Sequence, residues 1–466
     1  MFNKIKALIK EVVNKVLNRS AIESKIDVDI AITNKMAKAI DLWCEMYENK
    51  SPWLSDKVTS LNLSNAIAGE FARLVTLELE SEITGNDYLN EQYQTFLKGI
   101  RKNVEYACAK GGIVFKPYVN GENIEIDYVQ AEDFYPTAFN SRGEVTGAVF
   151  LEYKNIGDTR YTRLEYHSFT KHGYFITNSA FKTKDLGYRN ESLGKQIELS
   201  EVDEWAELEE IAEVKNVDRP LFAYFKMPMA NSVDKTSPLG ISVFHKAIEQ
   251  IKEADEQWSR MLWEYEGSEL AINASVDCFK LNEAGEPVLP EGRERLYRSM
   301  EYGVGEFNKA FEVFSPAIRD TSLFNGLNEI LRKIEFNCGL AYGTLSNAQE
   351  TEKTATEIIN SKQRSYSTVK DIQNALEDTL NDLIYIMDVY AKMYRLSNSK
   401  YEVSFNWDDS LVVDKNTDLL SMQSDVAAGL LRPEIYLAKK YGVTEEEALK
   451  MMPKQVETQP NPYDEE

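Results

Sequence analysis

The chain has 466 residues, 43% of them hydrophobic and 28% charged, and it carries 20 Phe, 25 Tyr and 6 Trp. That profile belongs to a folded protein with a sizeable core and excludes a disordered polymer. Acidic residues outnumber basic ones by 76 to 53 for a net charge of −23, which excludes a protein that coats DNA with a basic surface but not one past which DNA slides.

The length predicts about three domains. Cys44, Cys108, Cys278 and Cys338 form no C-x-x-C pair, so a zinc knuckle, a redox dithiol and a disulfide framework are all poor readings, and reduced, mostly buried thiols are expected. His167, His172 and His245 are too scattered for a histidine metal site or an acid–base triad. No run of 18 apolar residues exists to span a membrane. Residues 1–19 read as an amphipathic helix, with Ile5, Leu8, Ile9, Val12, Val13, Val16 and Leu17 opposed by Lys4, Lys6, Lys10, Lys15 and Arg19. Such a helix either docks on protein or lies on a membrane surface, and its lysines rule out a signal peptide. Synthesis in the cytosol is expected.

Helical periodicity covers residues 33–49 (Met36, Ala39, Ile40, Trp43, Tyr47), then 65–79 and 88–109. Gly111-Gly112 ends that texture. Residues 113–119 and 124–129 read as strands joined by Asn120-Gly121-Glu122, a hairpin signal, and 145–154, 161–169 and 173–177 extend a β meander. Residues 201–213 carry seven acids and no base and read as a water-facing helix face. Ser237-Pro238-Leu239-Gly240 is helix-start chemistry. It precedes a predicted helix over 241–267 whose seam is Ile241, Phe244, Ile248, Ile251, Trp258, Leu262 and Tyr265. Asp255 is the charged residue in that seam, either at a wet edge or setting register between helices.

Residues 269–316 form a small irregular module. A strand over 270–281 meets the turn 282–285, and Arg293, Arg295 and Arg298 stand beside Tyr297 and Tyr302, followed by Phe307, Phe311 and Phe314. Basic and aromatic residues interleave here, which fits either nucleic-acid contact or a protein-docking face. A helix over 322–342 can pair antiparallel with the one before the module. Residues 343–352 (GTLSNAQETE) break the periodicity, as a polar loop touching something mobile or as a plain connection. The helical pattern over 353–396 (Val369, Ile372, Leu376, Leu380, Leu383, Met387, Tyr390, Tyr394) lacks Gly and Pro and would run roughly 66 Å. A strand over 401–405 follows, then Trp407-Asp408-Asp409-Ser410, then helices over 417–430 and 434–451. Asp408 and Asp409 are either a divalent-cation site or a solvated turn. P-loop, dinucleotide, nucleophile-elbow, H-E-x-x-H and EF-hand patterns are absent, so no catalytic residue, metal ligand or cofactor is assigned and the chain is not read as an enzyme.

Taken in order, ACAKGG (107–112), RLEYH (163–167), PLFAYFK (220–226), SPLGIS (237–242), EADEQ (253–257), SLFNGLN (322–328), AYGTLS (341–346), KTATEI (353–358) and SKQRSY (361–366) resemble the portal (connector) proteins of long-tailed bacteriophages of Gram-positive bacteria. The resemblance implies an α+β, portal-like fold with a mostly helical stem and crown, a β-rich wing and a small α/β clip. It implies a homo-oligomeric ring, usually of twelve subunits, at one capsid vertex of the virion. Double-stranded viral DNA would be packaged and ejected through it without sequence-specific contact. Terminase, scaffold or major capsid protein and a head-completion adaptor are the implied partners.

Carried onto this chain, the wing is 1–236, the stem helices 237–268 and 319–343, the clip 269–318 and the tunnel loop 344–353. Residues 354–415 form the long wing helix and strand, 416–455 the crown helices, and 456–466 a disordered acidic tail. Asn347, Gln349, Glu350 and Lys353 are then expected to face DNA, and Arg293, Arg295, Arg298 and Phe307 to dock partners. The acidic balance fits a channel that holds DNA weakly, with repulsion screened within a Debye length of roughly 8 Å. Ring closure predicts that the long helix buries its apolar face against the next subunit. A capsid or tail adaptor or scaffold without DNA contact is the alternative.

Overall fold

A computed structural model describes residues 22–25, 28–77, 79–170, 173–184, 193–288, 296–300, 311–347, 355–407, 415–441 and 443–452. The amphipathic segment 1–19, Asp408, Asp409 and the acidic tail lie outside them. Contacts divide the chain into two units, one of residues 1–77 and 81–405 and one of 78–80 and 406–466.

The first unit opens with α1 (Asn34–Tyr47), capped by Thr33, whose Oγ1 accepts from the Met36 N–H. Its apolar stripe of Met36, Ile40, Trp43 and Cys44 is buried. α2 (Leu63–Thr76) stops three residues earlier than the periodicity predicts, and β1 (Leu79–Thr84) takes over. The single helix expected over 88–109 is two, α3 (Asp87–Leu97) and α4 (Ile100–Lys110). Phe96 and Ile100 keep the helical period across Gly99, so the hydrophobic pattern conceals the break.

β2 (Gly112–Asn120) and β3 (Asn123–Gln130) form the predicted hairpin, turning at Gly121 with φ +62°. β4 (Phe134–Phe139), β5 (Val145–Ile156), β6 (Thr159–Thr170), β7 (Gly173–Thr183) and β8 (Lys195–Ile197) form an antiparallel meander, and β9 (Ile211–Val214) also pairs with β7. β10 (Ala223–Lys226) adds to β2, making the sheet β10–β2–β3. The two sheets meet through Phe134, Phe150, Phe222, His167, Tyr174 and Tyr224, whose rings stack or meet edge to face. The acidic stretch 201–213 is not a helix. Short turns place Trp205 in the core, where Nε1 donates to Glu152 (3.2 Å), and most of its acids face water.

Glu165 of β6 is buried beside two cations. Its carboxylate accepts from Lys116 Nζ (2.6 Å), His167 Nε2 (2.6 Å) and Arg163 Nη1 (2.9 Å), and Arg163 also grips Glu152. His167 Nδ1 lies 2.7 Å from Tyr174 Oη, which accepts from the Leu221 N–H. Burial opposes the Glu165 charge, yet Lys116, His167 and Arg163 together hold its carboxyl well below the usual range. Burial likewise lowers His167, so the imidazole is neutral at pH 7.

The helix expected from 241 begins only at Ile248: α5 spans Ile248–Gly267. Residues 240–244 instead run as irregular backbone against the end of α4, and a 3-10 turn over His245–Ala247 leads into the helix. Gly111, at φ +89°, and Gly240 touch, and a Cβ at Gly111 would come 2.7 Å from the Gly240 carbonyl oxygen. Val243 N donates to Cys108 O (3.0 Å) and Met227 N to Gly111 O (3.1 Å). Ile241 and Phe244 are buried here, so their periodicity reflects tertiary packing. Asp255 sits neither at a wet edge nor between helices. At 1% exposure it accepts from Trp53 Nε1 (2.9 Å) and Leu61 N (2.7 Å), fastening the segment before α2 to α5.

The module begins with β11 (Ala271–Ser275), a single turn, and β12 (Lys280–Leu281), where one strand was expected. β13 (Pro287–Val288) pairs with β12, β14 (Tyr297–Met300) runs parallel to β11, and β15 (Phe311–Phe314) runs antiparallel to it. α6 (Asp320–Cys338) ends at Gly339, φ +82°, where a Cβ would lie 2.6 Å from Thr368 Oγ1. α7 (Ala355–Met393) is the expected long helix. Its apolar face corrects the expectation drawn from ring closure. Val369, Ile372, Leu376, Leu380, Leu383 and Met387 are buried within their own chain, where α7 packs on α2, β2 and β10. β16 (Glu402–Trp407) pairs with β1.

The second unit carries α8 (Lys415–Ala427), α9 (Pro433–Tyr441) and α10 (Glu445–Met451). The helix expected over 434–451 is broken before Thr444, whose side chain forms a capping box with Glu447. Cys44, Cys108 and Cys338 are buried as expected, and Cys278 is exposed. The α+β class is borne out.

Candidate functional site

α5 and α6 run antiparallel. Asn337 Nδ2 donates to Gln250 Oε1 (2.9 Å), Gln257 Nε2 to Leu323 O (3.4 Å), and Arg319 makes a two-pronged bond to Glu264 (3.0 and 2.8 Å). Residue numbers rise along one helix as they fall along the other. The helices on either side of the module therefore form a hairpin, with the module at the end that Arg319 and Glu264 close.

Outward-facing apolar side chains mark this hairpin. Trp263 is 69% exposed, and Leu262, Tyr265, Phe324 and Phe336 are also exposed. In the module, Leu281, Val288, Met300, Val313 and Phe314 are exposed as well. Its three-stranded sheet has the order β14–β11–β15, so β14 and β15 are the outer strands. Arg298, on β14, is exposed and lies over the Phe314 ring (5.4 Å) across β11. Arg293, Arg295 and Phe307 lie outside the described residues, so the structure places Arg298 alone of the four predicted docking residues.

At the other end of α6 the chain turns sharply. Leu340 N donates to Glu335 O (2.9 Å) past Gly339. Two guanidiniums approach the Tyr342 ring, those of Arg332 and Arg364, each 5.8 Å from its centre, and Arg364 also covers Phe336 (4.4 Å). The Glu335 carboxylate, wholly buried, accepts from the N–H groups of Gly343 (3.1 Å), Leu345 (2.6 Å) and Ser346 (2.9 Å) and from Ser346 Oγ (2.8 Å). Asn347 is exposed, and its N–H donates to Asn328 Oδ1 (2.7 Å). Gln349, Glu350 and Lys353 lie outside the described residues. Of the predicted loop residues, Asn347 is thus placed at the end of a built turn.

The pattern of residues missed Glu335 and Asn328. The available signal was an acid and an amide beside the buried stripe Leu327–Ile334–Cys338, where a solvated surface acid would not sit. Elsewhere, a cavity of about 180 Å³ opens over Lys116, Asp127, Glu152 and Glu165. Its charges answer one another, and burial raises the Asp127 carboxyl against the pull of Lys116. Among the described residues, no group of three or more His, Cys, Asp or Glu side chains is placed to hold a metal ion. No described helix is long and apolar enough to cross a membrane.

The family match over residues 87–461 makes this chain a phage portal protein, a component of the bacteriophage capsid and head–tail connector. Residues 87–461 match the family described as phage portal protein, SPP1 Gp6-like, and the chain belongs to that family, whose role is structural. No curated protein matches the chain. One similar solved structure, described as the neck of a native GTA particle computed with C12 symmetry, shares 10% identity over 81% of this chain and 89% of that one, at a TM-score of 0.43.

Proposed function

We propose that twelve copies of this chain close into a ring at one capsid vertex, through which double-stranded DNA is packaged and ejected. The observation that carries this reading is the α5–α6 hairpin, whose two ends differ in kind. One end offers a three-stranded sheet with exposed apolar side chains and Arg298, a surface suited to protein partners. The other holds a polar turn ending at exposed Asn347.

In this reading α5 and α6 are the stem, the module is the clip, and the segment 344–353 is the tunnel loop. Asn347, Gln349, Glu350 and Lys353 meet DNA non-specifically. Arg293, Arg295, Arg298 and Phe307 present the ring to terminase during packaging and to a head-completion adaptor afterwards, and the wing and crown meet scaffold or major capsid protein. The net charge of −23 supports a weakly holding wall, since phosphate contacts by a basic wall would slow every step of translocation.

The test is crosslinking. A photoreactive group on Asn347→Cys, in capsids assembled around this protein, should attach to packaged DNA, and one on Arg298→Cys should attach to terminase or adaptor. Capsids that fill with DNA yet give no crosslink from position 347 would favour an adaptor role away from the channel wall.

A further inference from the structure

The anchor at the end of α6 carries an inference that rests on the portal reading. We propose that Glu335 is a positioning residue: its buried carboxylate, helped by Asn328, fixes the direction in which the chain leaves α6 toward the DNA. An ionised carboxylate can only accept hydrogen bonds, and burying one is costly unless its lone pairs are filled. Here they are filled by the turn itself. Three N–H groups converge on Oε1 and the Ser346 hydroxyl on Oε2, making a concave nest of donors around a fixed charge. Three of the four donors are backbone groups, so the grip depends little on the side chains that follow.

Asn328 extends the same logic. It lies seven residues before Glu335, about two turns or roughly 10 Å along the helix. Glu335 holds residues 343–346 and Asn328 holds 347, so the chain is drawn back along α6. α7 braces the same end of α6, through Arg364 on Phe336 and Thr368 against Gly339. A loop that meets moving DNA needs a base that does not yield, and these contacts supply one.

The full-length protein tests this with Glu335→Ala, the isosteric Glu335→Gln, and Ser346→Ala, which removes a single bond. Hydrogen exchange at the Leu345 and Ser346 amides of assembled rings should accelerate about a hundredfold in E335A. In E335Q it should accelerate about tenfold, because charge-assisted bonds are roughly twice as strong as neutral ones, and in S346A it should accelerate least. The yield of crosslinks from position 347 to packaged double-stranded DNA should fall in the same order while ring yield stays at the wild-type level. If E335A does not assemble, E335Q and S346A carry the comparison. Unchanged exchange in E335Q and E335A would overturn the anchor. Faster exchange with unchanged crosslinking would overturn its positioning role. Failure of the portal reading is separately visible as wild-type rings that never crosslink to DNA, and it removes the DNA-positioning role whatever the exchange rates.

Discussion

The β-rich core and the helix hairpin solve the burial problem in opposite ways. In the core, Phe134, Phe150, Phe222 and Tyr174 are fully enclosed, α7 covers the sheet beneath them, and even the buried charges Lys116, Arg163 and Glu165 find one another. In the hairpin and its module, Trp263, Phe324, Phe336 and Val313 face outward. The aromatic and charged cluster of the first region is satisfied within one chain, while Phe139, Ile156 and Ile211 at its margins stay exposed. The second carries more open apolar surface than a solitary helix pair needs, which is how a surface meant for other subunits looks before assembly. The long helix, the expected seat of contact between subunits, belongs to the self-sufficient region.

That contrast can be broken at several points, and the largest effect lies in the core. Glu165→Ala leaves Lys116 and Arg163 buried without their shared counter-charge and should cost about 3–5 kcal/mol, read as a lower urea midpoint. Gly240→Ala forces a methyl group onto the Gly111 carbonyl and should cost about 1–3 kcal/mol by the same measurement. The pH dependence follows from two depressed groups. Glu165 and His167 both titrate lower in the folded protein than in the unfolded chain, so the unfolded state binds protons first as the solution is acidified. Stability is therefore complete above the unfolded histidine pKa of about 6.5 and falls as pH drops below it, with Glu165 adding its share below about 4.3. His167→Gln should flatten the decline between pH 7 and 5, and a slope that survives the substitution would place its source elsewhere. The smallest effect on folding belongs to the hairpin. Trp263→Ala should change the unfolding free energy by less than about 0.5 kcal/mol, read from the urea midpoint, while lowering the yield of assembled rings, and a variant that assembles normally would remove Trp263 from the contact.

Much of the core was legible because runs of β-branched and aromatic residues mark the meander strands and Asn120-Gly121 marks the turn of the hairpin that precedes them. The hairpin was legible as an order of elements, helix then module then helix. What escaped was tertiary. Ile241 and Phe244 mimic a helical seam because both are buried, yet the contact of Gly111 with Gly240 holds that backbone irregular. Asp255 and Glu335 stand out in the sequence as acids near apolar stripes, but their partners, Trp53 and Leu61 in one case and residues 343–346 in the other, lie on separate segments that periodicity cannot bring together. Arg163, Glu165 and His167 alternate along one strand and so share a face, a signal that the sequence carries and that went unread, and Lys116, the fourth member, lies on another strand.

In the portal reading, the hairpin's open apolar surface is closed by identical neighbours around an axis. Electron micrographs of the purified protein, paired with light scattering, test it most directly. Annular particles with a central hole and a mass of twelve chains of 53.3 kDa are expected. Compact particles without a hole, of single-chain mass at every concentration and with Trp263 still open to solvent labelling, would contradict it.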